Sequence, residues 1–170
     1  LGSVENVARA KAEIMEGMRA KSVILLNEES QFVDLMKRSA AERNLRVVTF
    51  GIESGEVRPE SFELGLASTS LVYKGVRFDV PLFGLHNVSN IMAAIACAEC
   101  LGISPAAAAD ALRTFENVGK RNDITDGSFA VVNDTYNSNP LSLRAALRSL
   151  GSIYKGRRTI AVLSDMKELG

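Results

Sequence analysis

A short polar segment at the end of an apolar run carries side chains well suited to chemistry. Residues 129–140 have the sequence FAVVNDTYNSNP, in which a predicted strand ends in an acid, a tyrosine and two asparagines: Asp134, Tyr136, Asn137 and Asn139. Open α/β sheets hold ligands at the carboxyl ends of their strands, where a carboxylate can accept two hydrogen bonds from a ribose diol. A turn acid bonded to its own backbone is the alternative for Asp134, and the asparagines fit a turn and a helix cap equally well.

A second polar segment, GLHNVSN (residues 84–90), lies at the start of a predicted helix. It places the only histidine of the sequence, His86, on one arc of that helix with Asn87 and Asn90. Unpaired N–H groups and the positive end of the helix dipole favour an anion there, and two amides supply the donors and acceptors that a purine edge requires. A purely structural role explains the same residues equally well: the polar side chains would cap the helix, and the histidine would have its hydrogen-bonding groups paired within the protein.

Three basic residues could act on a substrate or a phosphate. Lys11 lies in the apolar stripe of a helix predicted over residues 3–18, so we expect partial burial, which favours a neutral amine. Lys120 and Arg121 lie in a charged segment that also contains glycine, where they could reach phosphate oxygens. Contact with solvent alone is the usual alternative for such side chains.

Cys97 and Cys100 form a CxxC motif inside an apolar helical run over residues 91–101. The sequence has no second cysteine pair and no histidine near them at ligand spacing, and a thioredoxin-type motif belongs at a helix start. Free cysteine behaves as a small apolar residue. The pattern therefore predicts buried structural thiols.

The composition is that of a globular α/β protein without a dominant charge. Of the 170 residues, 46% are hydrophobic and 24% charged, with 20 basic and 20 acidic side chains. This balance disfavours nucleic acid as a partner and requires local groups to hold any anionic ligand. The sequence has no run of 18 apolar residues and no basic-then-apolar leader, so we expect no membrane insertion and a cytoplasmic location.

Alternating strand and helix patterns predict an α/β fold in two parts. Besides the helix over residues 3–18, the predicted helices span residues 30–43, 86–101, 105–115 and 140–153, and the predicted strands span residues 22–26, 46–50, 63–73, 76–81, 129–133 and 159–163. The last three elements along the chain form a predicted βαβ unit with a parallel strand pair. The charged segment 116–127 predicts a domain boundary, which divides the chain into residues 1–118 and 119–170.

Three stretches resemble the Mur ligases of peptidoglycan synthesis. GLHNVSNIMAAIACAECLGIS is similar to the family's G-x-HN-x-x-N-x-x-AA helix, VVNDTYNSNPLSLRAAL to D-x-YNANP-x-S-x-x-AAL, and RRTIAVLSDMKELG to R-x-I-A-V-L-G-D-M-x-ELG. The second and third patterns are typical of the branch that adds D-alanyl-D-alanine. Ser138 and Ser164 depart from them, since the family usually has Ala and Gly there. The resemblance spans essentially the whole chain.

The resemblance implies the latter part of a central ATP-binding domain followed by the first βαβ unit of a Rossmann-like C-terminal domain. It also implies an ATP- and Mg²⁺-dependent ligase that joins D-Ala-D-Ala to UDP-MurNAc-tripeptide through an acyl phosphate. Matched by position, Lys11 is the lysine whose carbamate supports a magnesium ion. The family's remaining roles fall on the adenine site (His86, Asn87, Asn90), the nucleotide phosphates (Lys120 or Arg121), the ribose (Asp134) and the amino-acid substrate (Tyr136, Asn137, Asn139).

The sequence leaves two other functions open. No stretch matches the phosphate-binding pattern G-x-x-x-x-G-K-S/T. Compared with the Mur ligases, this sequence also lacks the UDP-binding domain and most of the C-terminal domain. We therefore expect the chain alone to be inactive. One alternative is a non-catalytic binding module derived from such a ligase. The other is a sibling ligase such as folylpolyglutamate synthase, against which the YN-x-NP pattern argues.

Overall fold

The computed structural model describes residues 2–65, 67–116, 123–125, 128–134 and 140–166. Contacts divide the chain into two compact units, one formed by residues 1–60 and 89–108 and the other by residues 61–88 and 109–170. The units therefore interleave along the sequence. The boundary predicted after residue 118 lies outside the described residues and stays a prediction.

The first unit is built around a parallel strand pair with a helical crossover. Its elements in chain order are α1 (Val4–Ala12), a 3-10 helix (Glu13–Gly17), β1 (Val23–Asn27), α2 (Val33–Glu42) and β2 (Arg46–Phe50). β1 and β2 pair from Val23 with Arg46 to Asn27 with Phe50, so both strands end at one edge. The predicted strand over residues 46–50 is confirmed at both ends.

The core of this unit gathers residues from the 3-10 helix, β1, α2 and the loop just before β2. Met15, Leu26, Ala40 and Leu45 form a buried cluster, and Met18 and Met36 pack against it. Ser3 caps α1, since its side chain accepts a hydrogen bond from the Asn6 amide at 3.1 Å. α1 itself has no fully buried residue, because the buried Met15 follows only in the 3-10 turn.

Helix α3 (Leu85–Cys100) supplies its first turn to the second unit and its remaining residues to the first. It buries an apolar face formed by Val88, Ile91, Met92 and Ile95. α4 (Pro105–Arg113) follows, and Ser104 caps it, because the Ala107 amide donates to the Ser104 hydroxyl at 3.3 Å. Among the described residues, no helix is long and apolar enough to cross a membrane.

The second unit contains an antiparallel meander of β3 (Ser61–Leu64), β4 (Thr69–Tyr73) and β5 (Val76–Val80). Alternate residues of β4 and β5 are buried, which is the period-2 pattern of a sheet with one covered face. The predicted turn at Lys74-Gly75 is confirmed, since both residues have positive φ, 49° and 71°. A single strand over residues 63–73 is wrong: the chain turns at Gly65, whose amide donates to the Ser68 carbonyl at 2.8 Å.

The C-terminal elements are β6 (Asp123–Thr125), β7 (Val131–Asn133) and α5 (Pro140–Ile153). The βαβ unit predicted here lacks its second strand, since residues 158–166 have no regular secondary structure and β7 pairs antiparallel with β6. Ile160, Val162 and Leu163 are 73%, 93% and 58% exposed. An apolar β-branched stretch becomes a strand only where a neighbour completes its backbone hydrogen bonds, so composition alone misled this prediction.

Candidate functional site

The imidazole of His86 lies at the start of its own helix, directly against Gly84. Gly84 has φ of +97°, and a Cβ atom placed on it would lie 2.9 Å from Cε1 of His86 and 3.0 Å from Oγ of Ser149. Both side chains therefore lie directly against the bare Cα atom of Gly84. The ring is half-buried, and its Nδ1 atom is shut off from solvent. A glycine at residue 84 is what lets the ring take this place.

Asp134, from the other predicted polar segment (residues 129–140), acts electrostatically on His86. It follows β7 directly and is half-buried. Burial lowers the pKa of His86, and the negative charge of Asp134 opposes that shift by favouring the charged ring. Since the depressed pKa favours a neutral imidazole at neutral pH, one ring nitrogen is a donor and the other an acceptor. The structure thus brings one residue from each predicted segment into electrostatic range within a single unit.

The two asparagines beside His86 have different surroundings. Asn87 is buried, and its Nδ2 donates to the Phe83 carbonyl at 2.7 Å while its backbone amide donates to the Gly84 carbonyl at 2.9 Å. This side chain fixes the chain as it enters α3. Asn90, one turn along, is exposed. A ligand at the helix start would therefore meet Asn90 and the edge of His86 before it met Asn87.

A contact that the sequence did not reveal ties α3 to the end of β1. Asn27, the last residue of β1, donates through Nδ2 to the Ser89 hydroxyl of α3 at 3.3 Å. Its Oδ1 accepts from the Glu29 amide at 2.9 Å, which orients the side chain. The signal was present, because Asn27 is a polar residue at the carboxyl end of a parallel strand, where functional side chains collect.

Glu29 holds the loop that follows β2. Its Oε1 atom accepts hydrogen bonds from three successive backbone amides, those of Ile52 at 2.7 Å, Glu53 at 2.6 Å and Ser54 at 3.2 Å. Three converging amides make a concavity that favours an anion, here filled by the chain's own carboxylate. Asn27 and Glu29 together thus organise the edge at which β1 and β2 both end.

The structure corrects the predicted burial of Lys11. The side chain is exposed, as are Val4 and Ile14 of the same predicted stripe, at 64% and 70%. The physical reason is that α1, which carries Lys11, has no buried residue, so its apolar stripe does not face the core. The first buried side chain, that of Met15, comes only in the 3-10 helix that follows. Burial therefore gives no support to a carbamate at Lys11.

The described residues contain no group of three or more His, Cys, Asp or Glu side chains placed to hold a metal ion. A carbamate on the exposed Lys11 would supply one ligand at most. This part of the chain does not by itself fit a magnesium site.

The prediction of buried thiols is also wrong. Cys97 and Cys100 are free and both exposed on α3, while the neighbouring Ile95 and Ala96 are fully buried. The helix is apolar on more than the face it buries, so a high local hydrophobic content did not identify which side chains are covered.

Several predicted site residues cannot be placed. Those assigned to the nucleotide phosphates and to the amino-acid substrate lie outside the described residues: Lys120, Arg121, Tyr136, Asn137 and Asn139. A separate open groove of about 470 Å³ runs along α5 and shares no residue with the pair of His86 and Asp134; its lining residues are Pro140, Leu143, Arg144, Leu147, Arg148 and Met166.

These features define a mixed α/β protein whose polar side chains collect at the ends of strands and at the start of one central helix. Comparison with family models identifies the protein family within that fold class. The model of the Mur ligase middle domain matches residues 1–98, and the model described as Mur ligase, glutamate ligase domain matches residues 115–170. The chain belongs to the Mur ligase family.

Individual relatives are similar over the whole chain. The UDP-N-acetylmuramoyl-tripeptide--D-alanyl-D-alanine ligase of Bacillus subtilis is 31% identical over 175 residues, covering 100% of this chain and 37% of the relative. The ligase of the same name from Synechocystis is 33% identical over 171 residues, covering 100% of this chain and 36% of the relative. The chain therefore spans little more than a third of the length of these relatives.

Solved structures agree with the fold. MurF from Acinetobacter baumannii superimposes with a TM-score of 0.80 at 28% identity, over 88% of this chain and 33% of that one. MurF ligase from Thermotoga maritima, solved in complex with ADP, gives a TM-score of 0.69 at 21% identity, over 88% of this chain and 35% of that one. Folylpolyglutamate synthase from Mycobacterium tuberculosis gives a TM-score of 0.73 at 18% identity, over 91% of this chain and 36% of that one. The last two likenesses bear on the fold alone.

Proposed function

We propose that this chain is part of an ATP-dependent ligase that adds D-Ala-D-Ala to UDP-MurNAc-tripeptide in cytoplasmic peptidoglycan synthesis. The relatives aligned over all of its length carry that activity in their names. The observation that carries the proposal is the approach of His86 and Asp134 within one unit, since these residues come from two separate family motifs. In such a ligase ATP activates the tripeptide carboxylate as an acyl phosphate, which the amine of D-Ala-D-Ala attacks.

The nucleotide is the ligand that the described residues fit. The half-buried neutral imidazole of His86 offers a flat ring and a donor or acceptor nitrogen to the adenine, and the exposed amide of Asn90 can bond its edge. Asp134, half-buried after β7, supplies a carboxylate that can accept hydrogen bonds from the ribose hydroxyls. The buried Asn87 supports the base site by holding the start of α3 through its hydrogen bond to the Phe83 carbonyl.

The remaining roles are proposed from the family match alone. Lys120 or Arg121 contacts the phosphates, and the amino-acid substrate lies near Tyr136, Asn137 and Asn139. A carbamate on Lys11 helps to hold magnesium, with its other ligands outside the described residues. The chain divides after residue 118 into part of the ATP-binding domain and the start of the C-terminal domain, which agrees with family models that end at residue 98 and begin at residue 115.

Nucleotide binding by the chain itself tests the site. We expect calorimetric titration with ATP to show binding that Asp134→Asn weakens about tenfold or more, since a hydrogen bond to a charged group contributes roughly 1.5–3 kcal/mol. Asp110→Asn is the matched control, because Asp110 is a 74% exposed acid of the same unit whose ion pair with Arg113 contributes little. Equal affinities for the two variants would contradict the ribose assignment.

A chimera tests the substrate. The segment of the Bacillus subtilis ligase that aligns with this chain is replaced by the chain, and phosphate release from ATP is measured with UDP-MurNAc-tripeptide plus either D-Ala-D-Ala or glutamate. We expect turnover with D-Ala-D-Ala. Turnover with glutamate alone would favour a folylpolyglutamate-synthase-like ligase, and a folded chimera that binds ATP without turnover would favour a binding module.

A further inference from the structure

Two exposed thiols on one face of α3 have no part in the proposed ligase site. Cys97 and Cys100 are the only cysteines in the sequence, and both are free and exposed. They stand three residues apart in a continuous helix, so their side chains project to the same side. Both thiols are therefore open to a reagent in solution and close to each other.

Helix geometry puts the two cysteines within reach of a disulfide. With a rise of about 1.5 Å per residue and a Cα radius of about 2.3 Å, Cα atoms three residues apart lie about 5 Å from each other. Disulfides span Cα separations of about 4.4–6.8 Å. The Cβ atoms of such a pair are about 5–6 Å apart in a regular helix, whereas a disulfide needs about 3.5–4.5 Å. Closure therefore requires the two Cβ atoms to come about 1.5 Å closer.

The end of α3 is where such a movement is easiest. Cys100 is the last helical residue, and the next amide, that of Leu101, is already shared between the carbonyls of Cys97 and Ala98 at 3.1 Å each. The chain then turns out of the helix through Gly102, which has φ of +78°. No helical residue follows Cys100, so adjusting its backbone disturbs no further turn of α3.

We propose that Cys97 and Cys100 form a dithiol modification site that closes to an intramolecular disulfide when the oxidant is a hydroperoxide. One thiolate attacks the peroxide oxygen, so an S–O bond forms, the O–O bond breaks and the leaving alkoxide takes up a proton. The second thiolate attacks that sulfur, so the S–S bond forms and the S–O bond breaks, releasing hydroxide that becomes water. Two thiols lose two electrons and the peroxide gains them. This inference does not depend on the ligase activity.

Mass spectrometry of the folded chain tests the site. The chain is treated with a small excess of hydrogen peroxide under native conditions, digested without reduction, and the peptide carrying both cysteines is examined. We expect a product lighter by two hydrogen atoms that dithiothreitol converts back to the dithiol. The matched controls Cys97→Ser and Cys100→Ser each keep one thiol, and we expect them to form sulfinic acid or chain-to-chain disulfides.

The alternative outcomes are distinct. Oxygen added separately to the two cysteines of the unsubstituted chain would overturn the proposal, as would dimers linked through disulfides. Closure that occurs in concentrated urea but not in native buffer would overturn it as well, because the folded helix end would then be too rigid to allow the required movement.

Discussion

At the residue scale, His86 shows how one side chain can be tuned by its packing. Its ring lies against the bare Cα of Gly84, and burial and the charge of Asp134 act on its proton in opposite directions. The first effect is the larger, so the ring is neutral where a free histidine would begin to charge. A neutral ring suits contact with an uncharged purine edge better than an imidazolium does.

This balance predicts a dependence of stability on pH. Because the folded-state pKa of His86 lies below the ordinary 6.5, the unfolded chain binds more protons as pH falls through and below that value. The contribution of His86 to the free energy of unfolding should therefore be complete above about pH 7 and should decrease as the pH falls. The sequence has a single histidine, so one imidazole resonance in an NMR titration reports its pKa directly.

Variants separate the two causes. Asp134→Asn removes the charge that favours the imidazolium, so we expect the pKa of His86 to fall further and the loss of stability between pH 7 and 5.5 to grow. His86→Gln should remove most of that loss. A resonance in the unsubstituted chain that titrates at or above 6.5 would contradict the described burial.

Gly84 provides a second prediction at this scale. Gly84→Ala should destabilise the fold by the cost of positive φ, about 1–2 kcal/mol, plus about 1–3 kcal/mol for crowding His86 and Ser149. Gly156→Ala is the matched control, since Gly156 has φ of +80° with nothing within 4 Å of an added Cβ. Urea unfolding measures both, and equal losses would mean that the ring is free to move aside.

At the element scale, the carboxyl edge of β1 and β2 is organised by side chains that bond to neighbouring loops. Asn27 reaches α3 through Ser89, and Glu29 gathers the amides of residues 52–54. Both residues lie where a parallel sheet usually presents functional groups. Here they join β1 to α3 and to the loop after β2, so the edge is held before any ligand binds.

The Glu29 contact yields a prediction for this edge. Glu29→Ala leaves three converging amides without their acceptor, so we expect a loss of about 1–2 kcal/mol in urea unfolding. Glu53→Ala is the control, because Glu53 is an exposed acid in the same loop. Acetate should restore part of the loss in Glu29→Ala by binding the amides. Similar losses for both variants, without rescue, would show that only surface charge is involved.

Sequence patterns predicted elements well where local signals and burial agreed. β2 and α5 were predicted over the residues that the structure gives them. The failures have physical causes. The helix that carries Lys11 buries none of its residues, so its apolar stripe did not imply burial, and apolar residues on an uncovered side of α3 included both cysteines. For the site, the motifs identified His86 and Asp134, but the contact of Asn27 with Ser89 joins residues 62 positions apart, which periodicity cannot reveal.

At the scale of the whole molecule, contacts divide the chain into two units that interleave along the sequence. The start of α3, with His86, belongs to the unit that contains Asp134, whereas the rest of α3 belongs to the unit that contains β1 and β2. A single helix therefore contributes the base-binding turn of the proposed site and the residue that Asn27 holds.

The segment after α5 gives a prediction for the behaviour of the whole chain. Residues 159–163 have the strand-forming sequence TIAVL, yet they are unpaired within the described structure, and Val162 is 93% exposed. An apolar β-branched stretch with open backbone groups is a site for association between copies. Burying one valine side chain is worth about 1.5 kcal/mol, so Val162→Lys should weaken self-association about tenfold in light scattering or sedimentation. Thr159→Lys adds the same charge to the same segment without removing an apolar side chain, so it should have a smaller effect. If both variants lowered association equally, net charge rather than this apolar segment would govern it.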